Sequence, residues 1–281
     1  MRESDPHGGG ASFPLHIVLT NDDGYDAPGL AALHRLVRRV APTATIQVIA
    51  PAEAYSGKGH AVSPEVRCRR ASLPEIGEVI VVDGTPADCA RVAIALPGLR
   101  RPDWVISGIN RGGNLGVDVF YSGTVAAARE AAILGIRAMA VSQMIRSNLE
   151  LDWDEAIRMA TPAIACLLED PHTTPPALPN DPASRRLRAC TAELLAEPPT
   201  THPGFWNINL PHCPPDAPCD RIARTRVSCD PLHLAYKHRR EPDGSDVLVY
   251  GGRYLERPVS PGTDVEAVFG GAISLSWVTV A

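Results

Sequence analysis

The chain has 281 residues and a formal net charge of −5, from 27 Lys+Arg against 32 Asp+Glu, which argues against strong bulk attraction to nucleic acid or an anionic membrane. Hydrophobic residues at 44% and charged residues at 21% exclude a wholly disordered chain. Aromatics at only 5%, beside 27 Pro and 23 Gly, speak against a stacking platform for single-stranded nucleic acid.

Residues 1–14 read as a Gly-rich flexible tail without the apolar core of a signal peptide. Residues 15–281 then read as one domain. Leu15–Thr20 has the composition of a buried strand, and Gly29–Val40 of an amphipathic helix opened by Pro28. Further strands are predicted at Ile46–Ala50, Val79–Asp83, Trp104–Ser107 and Ala138–Ser142. Helices are predicted over Ala87–Leu96, stopped by Pro97-Gly98, and over Thr124–Leu134, ended by Gly135. Asp152 with Glu155 predicts a capped helix to about Leu168. Alternation of apolar strands and helices implies a mostly parallel sheet covered on both faces.

From Asp170 to Pro203 eight prolines, the last being Pro203 itself, mark a loop or insertion. Trp206–Leu210, Ala223–Val227, Val247–Tyr250 and Ile273–Val280 then read as strands without long helices between them. They predict a smaller, more antiparallel C-terminal region. The seven cysteines are odd in number and contain no Cys-x-x-Cys, so they read as reduced thiols of a cytoplasmic protein. Cys213, Cys219 and Cys229 with His212, His233 and His238 fit no standard zinc spacing.

Three loops carry chemistry, each after a predicted parallel strand, where open α/β sheets gather ligands. The first is Thr20-Asn21-Asp22-Asp23-Gly24. Adjacent carboxylates repel unless a cation lies between them, and Gly24 permits the turn that aims both at one ion; the same residues also suit a solvated Asx turn. The second is Ser56-Gly57-Lys58-Gly59-His60, whose amides suit an anion but which is not a Walker loop. The third runs from Ser107 through Asn110 and Asn114 to Tyr121-Ser122-Gly123-Thr124 and enters a helix. Asn110 and Asn114 are neutral oxygen donors for a hard divalent ion or contacts for a phosphate. The helix start at Ser122–Thr124 is a phosphate seat, with simple N-capping by Thr124 as the other reading. Carboxylates, hydroxyls and amides in one cleft suit a Mg²⁺- or Mn²⁺-type ion and a phosphoryl group, the ion polarising the phosphate and lowering the pKa of a bound water.

Leu19-Thr20-Asn21-Asp22-Asp23-Gly24, Ala27-Pro28-Gly29, Ser56-Gly57, Gly84-Thr85-Pro86-Ala87-Asp88-Cys89, Ser107-Gly108-Ile109-Asn110, Asn114-Leu115-Gly116, Tyr121-Ser122-Gly123-Thr124, Asn207-Ile208-Asn209-Leu210-Pro211 and Gly262-Thr263-Asp264 together resemble the SurE family. The resemblance implies a Rossmann-like α/β fold with a β-rich C-terminal oligomerisation region and a homodimer or homotetramer. It implies 5′- and 3′-nucleotidase activity on nucleoside monophosphates with one divalent cation per subunit. It implies metal ligation by Asp22, Asp23, Ser56 and Asn110, and phosphate contacts from Asn114, Ser122, Gly123 and Thr124. Asp22 and Asp23 are expected to be the catalytic residues, with Asp23 expected to help align or deprotonate the attacking water. Ala52-Glu53-Ala54-Tyr55 stands where the family often carries arginines. That departure keeps a catalytically silent nucleotide-binding protein as the alternative. No nucleic-acid duplex and no membrane is expected as a partner.

Overall fold

Successive residues of the central strands point to opposite faces, and here both faces are apolar. In β1 (His16–Thr20), Ile17 and Leu19 pack on one side and Val18 on the other. The same alternation holds in β2 (Thr45–Pro51), with Val48 and Ala50 against Ile49, and in β4 (Gly77–Asp83), with Val79 and Val81 against Ile80 and Val82. Helices α1 (Pro28–Val40) and α5 (Trp153–Leu168) cover the first face. Helices α2 (Pro86–Ala95) and α4 (Gly123–Ile133) cover the second. This computed structural model describes residues 14–55, 57–169, 182–195, 203–214, 219–232 and 235–280. Most of the N-terminal tail, Ser56, His233 and much of the proline-rich stretch lie outside them.

Among the described residues the main sheet has nine strands in the order β3-β4-β2-β1-β5-β6-β7-β11-β8. It is completed by β3 (Arg67–Leu73), β5 (Trp104–Arg111), β6 (Arg137–Gln143), β7 (Gly204–Leu210), β8 (Arg221–Thr225) and β11 (Ala272–Thr279). From β4 to β7 every pairing is parallel, as the sequence predicts. Antiparallel pairs stand outside that block: β3 on β4, and β11 on β7. A separate antiparallel hairpin joins β9 (Tyr236–Arg240) to β10 (Asp246–Tyr250). Strand β8 departs from the antiparallel expectation and joins β11 in parallel. No described helix is long and apolar enough to cross a membrane.

Two expectations are corrected. The proline-rich stretch contains helix α6 (Pro182–Leu195). Pro182 sits where a proline opens a helix rather than breaks it, and the following Ala, Arg and Leu residues are good helix formers. The cysteines are not all reduced thiols, because Cys213 and Cys219 are disulfide-bonded, their Cα atoms 6.3 Å apart. The two cysteines are six residues apart in the sequence. Strand β3 escaped the sequence reading because it is an exposed, arginine-rich edge, the usual composition of a strand that must not pair further.

Candidate functional site

From β1 the chain moves outward to β2 and β4, then returns across β1 to β5 on its other side. Strand order therefore reverses between β1 and β5, and the crevice at their carboxyl ends is where such sheets hold ligands. Asp22 and Asp23 follow β1, and Asn110 lies near the end of β5. The register of β5 on β6 shifts between Ser107 and Asn110; such an irregularity re-aims a side chain at a strand end.

The turn after β1 is made by Asn21, whose Nδ2 donates to the carbonyl of Gly24 at 2.7 Å. Gly24 itself has φ +108, a conformation that side chains resist. With Asn21 supplying the turn, both aspartates remain available to the crevice. Asp22 is 4% exposed, and its Oδ1 accepts from the Thr124 hydroxyl at 2.5 Å. Gly123 lies so close that a Cβ there would stand 2.7 Å from Cβ of Asp22 and 2.9 Å from its Oδ2. Only glycine lets the start of α4 approach the carboxylate this far. Asp23 is half-buried, and its Oδ2 lies 3.4 Å from the amide of Arg111, next to Asn110.

Thr124 is not the helix cap. That role belongs to Ser122, whose Oγ accepts from the amide of Val125 at 3.0 Å. The structure thus brings together Asp22, Asp23, Asn110, Ser122, Gly123 and Thr124. Ser56 lies outside the described residues, but the amide of Tyr55 donates to the carbonyl of Asp22 at 2.7 Å and that of Gly59 to the carbonyl of Tyr121 at 2.9 Å. The second loop is fastened further on by Asp88, which accepts from the amide and hydroxyl of Ser63 at 2.9 and 2.7 Å.

Asn114 is a buried anchor. Its Nδ2 donates to Ser142 at 2.7 Å, its amide donates to Oδ1 of Asn209 at 2.8 Å, and its carbonyl accepts from Asn207 and Asn209. The sequence reading gave no separate role to Asn207, Asn209 or Asp264. A polar pair two residues apart in an otherwise apolar strand places both on one face, and that was the available signal. Asp264 opens the short helix α7 (Asp264–Phe269) and accepts from the amides of Gly116 and Ser228 at 2.8 and 2.9 Å.

The donor set fits a hard divalent cation. Burial lifts the Asp22 carboxyl to about 6; the Thr124 hydrogen bond lowers it in part, and the neighbouring Asp23 charge raises it again. A site that penalises its own carboxylates in this way gains most from a positive charge between them. Asn110 spends its Nδ2 on the carbonyl of Gly112 at 2.7 Å, and no described residue donates to its Oδ1. All these donors are oxygens, as magnesium and manganese prefer. Among the described residues there is no cluster of three or more His, Cys, Asp or Glu that could hold a metal ion.

The chain matches the family model of survival protein SurE over residues 17–231. It is 35% identical over 264 residues to the 5′-nucleotidase SurE of Rhodospirillum rubrum, covering 92% of this chain and 88% of that one. It is 34% identical over 265 residues to the 5′/3′-nucleotidase SurE of Edwardsiella ictaluri, covering 93% and 89%. The crystal structure of the SurE protein from Aquifex aeolicus superposes with a TM-score of 0.68 at 27% identity, over 95% of this chain and 94% of that one. With this family match, and with relatives alike along nearly its whole length, the chain belongs to the SurE family.

Proposed function

We propose that this chain is a metal-dependent phosphomonoesterase that hydrolyses nucleoside 5′- and 3′-monophosphates to nucleoside and phosphate. The observation that carries the reading is the carboxylate pair set against a helix start, with Gly123 in contact distance of Asp22. The names of the SurE relatives as 5′- and 5′/3′-nucleotidases support it.

Asp22, Asp23, Ser56 and Asn110 would hold one Mg²⁺ or Mn²⁺ per subunit. When bound, the cation supplies charge neutralisation and polarises the phosphoryl group. Ser122, Gly123 and Thr124 present donors at the positive end of α4, where phosphoryl oxygens are stabilised as charge moves to the leaving group. Asn114 contributes its second amide hydrogen, since a primary amide carries two. Asp23, less buried than Asp22 and with one oxygen unbonded among the described residues, aligns or deprotonates the attacking water. The protein works as a homodimer or homotetramer. In support, Tyr236, Leu248, Val249 and Tyr250 are exposed on the β9–β10 hairpin, and a lone two-stranded hairpin has little stability of its own.

Released phosphate measured across 5′- and 3′-monophosphates, with Mg²⁺, Mn²⁺ or excess chelator, tests the reading. Turnover that needs the ion is the expected outcome. Tight nucleotide binding without release under every condition would replace it with the silent nucleotide-binding alternative.

Substrate length is set in this reading by the rim. Glu53 is exposed in the segment between β2 and Ser56. A carboxylate there repels the additional phosphates of longer chains, while a monophosphate is neutralised by the ion. Glu53→Arg should raise the hydrolysis of polyphosphate relative to monophosphate, and the gain should shrink at high salt because the charge is exposed. An unmoved ratio would remove Glu53 from the specificity determinants.

A further inference from the structure

The loop Gly113–Asp118 runs between Asn110 and the short helix α3 (Asp118–Tyr121), which hands over directly to the cap Ser122. One side of this loop is bonded to β7 through Asn114. The other side is gripped by residues from far along the chain. The Tyr254 hydroxyl donates to the carbonyl of Gly113 at 3.0 Å. Arg257 donates to the carbonyl of Leu115 at 3.0 Å and to the two carboxylate oxygens of Asp118 at 2.8 and 3.3 Å. Its guanidinium also lies 3.9 Å from the centroid of the Tyr254 ring. The Asp118 carbonyl in turn accepts from the amide of Ser122 at 2.9 Å.

The Arg257 side chain is 9% exposed and that of Asp118 21%. Burying such a pair gives little net stability compared with apolar groups of the same size. What a two-pronged guanidinium gives instead is a fixed placement of the carboxylate and the backbone it belongs to. Tyr254 stays a donor, because burial and then the Asp118 charge push its hydroxyl well above the usual tyrosine range.

We infer that Arg257 and Tyr254 are positioning residues of the phosphatase site: they fix the Gly113–Asp118 loop and, through Asp118, the start of α4. The inference rests on the function proposed above, for which a displacement of about 1 Å at the phosphate seat is enough to cost about a hundredfold in rate.

The test compares Arg257→Gln, Asp118→Asn, their double variant, Tyr254→Phe and the control Arg253→Gln, whose arginine lies at the surface beside Glu256. Two readouts are taken on the full chain: kcat and KM for a nucleoside 5′-monophosphate, and hydrogen exchange of the amides from Gly112 to Ser122. Arg257→Gln and Asp118→Asn should each lower kcat by about 10- to 100-fold while KM moves less than about threefold. The double variant should lose no more than the worse single one, because the two act as a unit. Exchange should quicken within residues 112–122 and stay unchanged in β1 and β5. Tyr254→Phe, which removes one hydroxyl and keeps the ring, should quicken exchange at the Gly113 end with a smaller loss of kcat. Unchanged exchange in the loop, additive losses in the double variant, or equal effects from Arg253→Gln would each overturn the inference. So would quickened exchange across the whole sheet, which marks a merely structural role. If wild type releases no phosphate from any nucleotide, the function fails, and the exchange comparison alone still decides whether these residues fix the loop.

Discussion

Asp23→Asn should lower kcat by about a thousandfold, the scale of losing a principal electrostatic contributor to the transition state, while the fold stays intact. The side chain keeps its volume and loses its charge. Because Asp23 adds to the penalty on the buried Asp22 carboxylate, the metal-free variant should melt at the wild-type temperature or slightly above it. Wild type should gain melting temperature on adding Mg²⁺ or Mn²⁺, since a ligand that binds only the folded state stabilises it, and the variant should gain less. Melting curves and phosphate release, each with and without chelator, separate these effects. Wild-type activity in the Asp23→Asn protein under excess chelator would sink the metal assignment.

Thr124→Val should act on both rate and stability. Its hydroxyl donates to Asp22 at 2.5 Å in a fully buried position. Valine keeps the shape and leaves the buried carboxylate without that donor, at a cost of about 1.5–3 kcal/mol for a hydrogen bond to a charged group. kcat/KM should fall about 10- to 100-fold, because the Asp22 carboxylate loses the hydrogen bond that orients it toward the ion. Ser122→Ala loses the helix cap instead, about 1 kcal/mol, with a rate loss in the same range if its hydroxyl or the helix start it fixes serves the phosphate. Chemical unfolding beside steady-state kinetics reads both. A Thr124→Val enzyme with normal kinetics and a lowered midpoint would leave this hydroxyl a structural role only.

The parallel block was legible because its strands are short apolar runs bounded by Gly, Pro and Asp, and because two of its helices begin with a clear signal: Pro28 at the first position of α1 and Asp152 before α5. The crevice was legible for the same reason, since its loops follow strands whose direction the alternation fixes. Helix α6 was hidden by prolines on both sides of it, which read as one irregular stretch although none lies between Pro182 and Leu195. The exchange of roles between Ser122 and Thr124 could not be read in advance. Both are hydroxyl residues at a helix start, and only the structure shows Ser122 accepting from Val125 while Thr124 donates to Asp22. Asp264 and Arg257 were harder still, because their partners lie 148 and 142 residues earlier. No local pattern connects groups so far apart.

Those separations bear on how the molecule is made. A ribosome releases Asp22, Asn110 and Thr124 long before Asn209 and Asp264, yet the loop between Asn110 and Ser122 takes its bonds from both of the later residues. Contacts across such spans form late, because closing a long loop must precede any gain from it. The acidic pair and the start of α4 meet through contacts made within the first half of the chain, whereas the loop between them gains its full set of bonds only once the chain has reached Asp264.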